Sequence, residues 1–144
     1  MNDRYLFRAK RIDNDEWTYG YLYGIWERKY ILWGMTNNVP DMTEVEPSTI
    51  CQCTGLKDKS GKLIWENDII KCKDIITAVR WNTKYASWVL TKKGWMYDHF
   101  FGESQDPEKC EVIGNIFDEG SDWSTVKARV DDIFDNPELM EVGE

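Results

Sequence analysis

The turn chemistry packed into residues 49–81 constrains this chain most. A short run around Cys51 and Cys53 leads into Asp58, Lys59, Ser60 and Gly61, the residues of a tight hairpin or β-turn, with Gly61 able to take a positive φ. Trp65, Glu66, Asn67 and Asp68 form a second loop, and 69–73 and 76–81 read as two strands. This order is predicted to be the start of a small β-barrel. Asn82, Thr83 and Lys84 turn the chain again, 88–91 is another strand, Lys92, Lys93 and Gly94 a turn, and 95–101 a strand or short helix. A polar loop over 102–108 follows, and 110–117 closes the β region near Gly114.

Ahead of this stretch, Tyr5, Phe7 and Ala9 alternate with Arg4, Leu6, Arg8 and Lys10, a strand period over 4–12. Asp13, Asn14 and Asp15 make a turn. Residues 17–26 place Trp17, Tyr19, Tyr21 and Tyr23 on one strand face, 27–29 turn, and 30–35 is a further strand. These read as an antiparallel meander. The aromatic stripe is either a core or sheet-packing face or a platform on which bases stack. Residues 36–48 read as a polar loop holding at most one short strand. Aromatics form 14% of the chain, which suits pleated sheet.

Beyond Glu119 the period changes. Ser121 or Asp122 can cap a helix, Pro137 stops it, and Trp123, Val126, Val130, Ile133 and Phe134 fall on one side. A free helix over 121–135 is marginal in water, so this face is expected to dock, on its own barrel or, preferentially, on a neighbouring subunit. These five residues are the candidate partner-binding set. Residues 51–102 hold 9 basic and 5 acidic side chains, whereas 103–144 hold 3 and 13, so tail and middle are oppositely charged. The expected partner is a second copy of the chain or a host or phage protein.

Little points to catalysis or metal. Cys51, Cys53, Cys72 and Cys110 are expected to be free thiols in a reducing compartment. The one-residue gap between Cys51 and Cys53 is not the usual zinc spacing, and no metal or cofactor is expected. His99, the only histidine, is the one candidate base for a cysteine nucleophile, and a packed or surface histidine is the plainer reading. No phosphate loop, nucleophile elbow or metal-binding helix motif is present. Glu66 and Asp68 read as backbone-bonding loop residues. No run of 18 apolar residues exists and the charged N-terminus is unlike a secretory signal, so the chain is expected in the cytoplasm. A net charge of -8 opposes nucleic acid, although the basic middle carries Trp65, Trp81, Trp88 and Trp95.

The segments 52–62 and 65–70 resemble the signature of the YopX family, small proteins of phages and prophages of Gram-positive bacteria. Phe7-Arg8-Ala9 and the run from Glu111 to Phe117 resemble its opening and closing segments, so the likeness spans about 1–118. Cys53 stands where the family has Tyr, Asn67 where it has Gly, and Lys10 where it has Trp. Asn67 is the best non-glycine residue for a left-handed turn. The family's terminal run is split here between 114–118 and 133–139, with the helical segment inserted between. The resemblance implies a mostly β fold and a mobile-element origin, and it brings no reaction or functional residue.

The expected fold is therefore mainly β: a small, partly open SH3-like barrel over 51–120, an N-terminal meander over 1–50 and a helical acidic tail over 121–144, or one compact domain overall. The expected function is that of a non-enzymatic accessory protein acting through protein–protein binding or self-association. Nucleic-acid binding by the barrel is the second reading. An enzyme with a pocket around His99 or Glu66 is the third. Trp65, Glu66, Asn67 and Asp68 form the candidate motif loop.

Overall fold

A computed structural model describes residues 3–73, 75–91, 99–102 and 105–118. The strands are β1 (Phe7–Lys10), β2 (Trp17–Ile25), β3 (Arg28–Thr36), β4 (Val39–Val45), β5 (Cys51–Lys57), β6 (Leu63–Trp65), β7 (Asp68–Cys72), β8 (Ile75–Asn82), β9 (Ser87–Thr91), β10 (His99–Phe100) and β11 (Cys110–Asn115). They form two open sheets, ordered β4-β3-β2-β1-β5-β6 and β10-β9-β8-β7-β11. The mainly β expectation holds. The segment 121–135 lies outside the described residues. By internal contacts the chain divides into two units, Met1–Gly55 and Leu56–Glu144.

In the first unit β2 serves two partners. Its first part, from Trp17 to Gly20, pairs with β1, and its second, from Tyr21 to Ile25, pairs with β3. Gly20 is the pivot: a Cβ there would overlap the Leu32 carbonyl oxygen, so only glycine allows this approach. The inward face buries Ala9, Ile31 and Val45 against Phe7 and Ile50. Arg8 is buried too, its guanidinium 4.6 Å from the Trp17 ring centre, which breaks the simple alternation expected of β1. Asn37 and Asn38 both take positive φ, as a two-residue type I′ hairpin requires. That turn makes β4 a seven-residue strand where a polar loop was expected. Pro40 is tolerated because β4 is the edge strand of the sheet order, where a missing N–H costs no ladder bond. Its far end returns to β1 through Glu46 N–H to Lys10 O (2.9 Å) and Ile12 N–H to Glu44 O (3.1 Å).

In the second unit Ile69 and Ile70 point to opposite faces, and both are fully buried. Ile70 joins Ile64, Cys72, Val79, Leu90, Phe101 and Cys110; Ile69 joins Ala78, with Ile76 and Ile116 beside them. A strand covered on both sides reads as a continuous apolar run, which β7 does. Each such isoleucine contributes about 1.5–3 kcal/mol. Strand β11 pairs back onto β7, with a register shift between Val112 and Gly114. That pairing sets Cys110 opposite Cys72 at a Cα separation of 4.4 Å, and the two form a disulfide. The free-thiol expectation is therefore corrected for this pair: strands far apart in sequence bring them together. Cys51 and Cys53 are buried thiols outside the bridge, on one side of β5 as their spacing predicts.

Two outcomes follow for the chain in solution. Thiol titration of unfolded, unreduced protein counts two thiols, and four after reduction; closing a loop of 38 residues, the bridge is worth on the order of 4 kcal/mol, read as a lower melting temperature in reductant. Gly20→Ala destabilises the fold by about 2 kcal/mol or more in denaturant titration, because β3 must move away from β2.

Candidate functional site: the motif hairpin and an aromatic trough

The motif segment is organised by Asp58, only 4% exposed. One carboxylate oxygen accepts from the Ser60 N–H (2.8 Å) and the Lys62 N–H (3.0 Å), which ties the turn. The other accepts from the Val112 N–H (3.0 Å), 54 residues away on β11. Lys59 N–H adds a bond to the Cys110 carbonyl at 2.9 Å. Burial by itself would raise the Asp58 pKa. The backbone N–H groups of Val112, Lys62 and Ser60, with the nearby Lys62 charge, outweigh burial and hold it below the ordinary 3.8. The sequence showed Asp58 as a turn residue; its reach to β11 has no local signal.

The candidate loop is built in the same way. Asp68 is fully buried and accepts from the Trp65 N–H at 2.7 Å. Asn67 has φ 69°, the left-handed position that its substitution for glycine implied. Its N–H donates to Val79 O (2.9 Å), and its carbonyl accepts from Ile116 N–H (3.0 Å). Trp65 is buried, so it offers no stacking face. Asn115 closes the end of β11 by accepting from the N–H groups of Phe117 and Asp118. Trp65, at the end of β6, and Asp68, at the start of β7, thus lie together across the turn that holds Asn67, with the Asp68 carboxylate bonding the backbone. Trp123, Val126, Val130, Ile133 and Phe134 fall outside the described residues.

Sequence reasoning missed a cavity in the first unit. Tyr19, Gly20 and Tyr21 from β2, Leu32, Trp33, Gly34 and Met35 from β3, with Pro40 and Leu6, line a trough of about 550 Å³. Trp33 is the extra residue of a bulge, since Leu32 pairs with Met42 and Gly34 with Asp41. The bulge re-aims its indole, whose N–H donates to Thr43 Oγ1 at 3.0 Å. Outward along the hairpin, Tyr21, Tyr23, Ile25 and Met42 are exposed, while Ile31 and Val45 on the other face are buried. The tyrosine stripe is thus a surface, where a core or packing face was expected. The readable signals were Gly20 and Gly34 among the aromatics, and Asn37-Asn38.

Chemically the trough is apolar and aromatic, and neither His99 nor Glu66 lines it. Among the described residues no group of three His, Cys, Asp or Glu side chains is placed to hold a metal. Nor is any helix there long and apolar enough to cross a membrane. On the second unit, the β8–β9 turn exposes Trp81 and Tyr85, with the Lys84 ammonium 5.4 Å from the Tyr85 ring centre.

These features define a class: a small antiparallel β protein whose buried carboxylates brace its loops and whose aromatic side chains stand outside. The model of the YopX protein family matches residues 6–121, most of the chain. The chain belongs to that family. No curated protein matches it.

The Asp58 carboxylate yields a signed pH effect. Its depressed folded value means that its stabilisation is complete above the ordinary carboxylate range and is lost as pH falls through the folded value. Asp58→Asn turns an acceptor facing Val112 N–H into a donor, and is expected to cost on the order of 3 kcal/mol at neutral pH. The variant also lacks this part of the wild type's acid-induced loss. Denaturant titrations of both chains at neutral pH and below pH 4 check each point.

Proposed function

We propose that the chain is a non-enzymatic phage or prophage accessory protein that works in the bacterial cytoplasm by binding protein, either a partner or a second copy of itself. The outer face of β2, β3 and β4 carries this reading. Tyr21, Tyr23, Ile25, Met35 and Met42 are exposed there, around a trough lined by aromatic and aliphatic side chains. Contiguous apolar surface of this kind marks interaction sites. The order of the second sheet, a β7-β8-β9-β10 meander to which β11 returns beside β7, supports reading that part as a partly open SH3-like barrel. The tail over 121–135 is the second binding element in this proposal. Its support is sequence alone: five apolar positions at helical spacing, and an acidic balance opposite to that of 51–102.

One observation favours a second reading, binding of single-stranded nucleic acid. The exposed Trp81 and Tyr85 with Lys84 combine stacking faces and positive charge. The net charge of -8 opposes it. A mobility-shift assay at low salt separates the two, and the protein-binding reading expects no shift at micromolar chain.

Light scattering and pull-down from host lysate test the main proposal. The expected outcome is a mass above the 17.0 kDa chain or a retained protein partner. Trp123→Ala combined with Val130→Ala is expected to lower that mass or the melting temperature. A strict monomer that retains nothing removes the proposal.

A further inference from the structure

We infer that the first unit binds a second copy of this chain through the outer face of β2, β3 and β4, with Trp26 of each copy seated in the aromatic trough of the other. This rests on the protein-binding reading above and gives it an occupant and a site.

Trp26 is the starting observation. It sits in the two-residue turn between Ile25 and Arg28, is 89% exposed and has φ 52°. A bulky side chain in the left-handed region is strained, and the chain uses asparagine for the equivalent role at Asn37 and Asn38. Local folding gains nothing from tryptophan there. A tryptophan held out on a short rigid turn is instead the shape of an interface anchor.

The trough offers the complementary hollow on the same unit. Its volume of about 550 Å³ lies in the range that holds compact ligands, and its walls are aromatic. From Tyr21 at the trough to Trp26 is five residues of β2, roughly 16–17 Å. Knob and hollow therefore lie at opposite ends of one hairpin. Two hairpins laid antiparallel about a twofold axis near Tyr23 satisfy both contacts at once and leave none open for further growth.

Area supports a second copy as the occupant. Tyr19, Tyr21, Tyr23 and Trp26 are 49%, 43%, 45% and 89% exposed. At the ~150–250 Å² that an aromatic side chain can bury, they offer roughly 340–570 Å². Ile25, Met35 and Met42 add to this, against the ~800 Å² per partner of a standard interface. Pairing along the β4 edge is the competing mode, and Pro40 removes a donor there.

Concentration-dependent light scattering or sedimentation on the full chain tests this. Wild type is expected at twice the 17.0 kDa chain mass. Trp26→Asn is expected to raise the dissociation constant roughly 30-fold or more, the effect of losing an anchor tryptophan. Because asparagine suits the left-handed turn, its melting temperature at monomeric concentrations is not lowered. Met35→Arg sets a charged side chain into the trough lining, on the face shared with Leu32 and Pro40, and is expected to abolish association equally. An equimolar mixture of the two variants restores one contact per pair and scatters more than either alone. Association that survives both substitutions, or a mixture no heavier than its components, overturns the inference. A wild-type monomer that still captures a protein partner overturns it while protein binding stands. A wild-type monomer that captures nothing removes both.

Discussion

The second unit depends on a charge held out of water. A carboxylate as buried as that of Asp58 is costly unless its oxygens are satisfied, and here three backbone N–H groups satisfy them. Two belong to its own turn and one to β11, so a single group couples a local hairpin to the last described strand. The neighbouring backbone bond from Lys59 to Cys110 and the bridge from Cys110 to Cys72 continue the same seam. Removing the charge would expose three donors together, so the turn and the strand pairing should loosen as one.

The first unit is shaped by backbone geometry where the second is shaped by charge. Gly20 lets β2 approach β3 closely while it changes partner from β1 to β3. The bulge at Trp33 then turns an indole toward the surface. The outer face carries the trough, while Ala9, Ile31 and Val45 hold the inner one. The core is small, and the aromatic area left outside is large for its size. A fold that needed those rings for its own stability would have turned them inward.

Function follows from how the polar groups are used. Asp58 and Asp68 bond backbone inside the fold, so these motif residues act as bracing. What the described surface presents is aromatic and apolar area in the first unit, and a tryptophan, a tyrosine and a lysine on the β8–β9 turn of the second. The binding of protein that we propose rests on this surface, because apolar burial is non-directional and needs no reacting group.

Much of the fold was legible in the chain itself. Alternating aromatics, closely spaced turn residues and the run through Ile69 and Ile70 determined a β protein, and the family resemblance implied the left-handed turn at Asn67. Those signals are local: side-chain period and φ preference act over a few residues. The seven residues of β4 were missed because Pro40 suggests a loop until the strand is known to lie at an edge. The Cys72–Cys110 bridge and the reach of Asp58 to Val112 were not legible, since each joins residues that only the pairing of β7 with β11 brings together. The tyrosine stripe shows the division most plainly. Its period determined a strand with one aromatic face, and only the tertiary structure decided that this face looks outward, because Ile31 and Val45 on the opposite face already fill the inside.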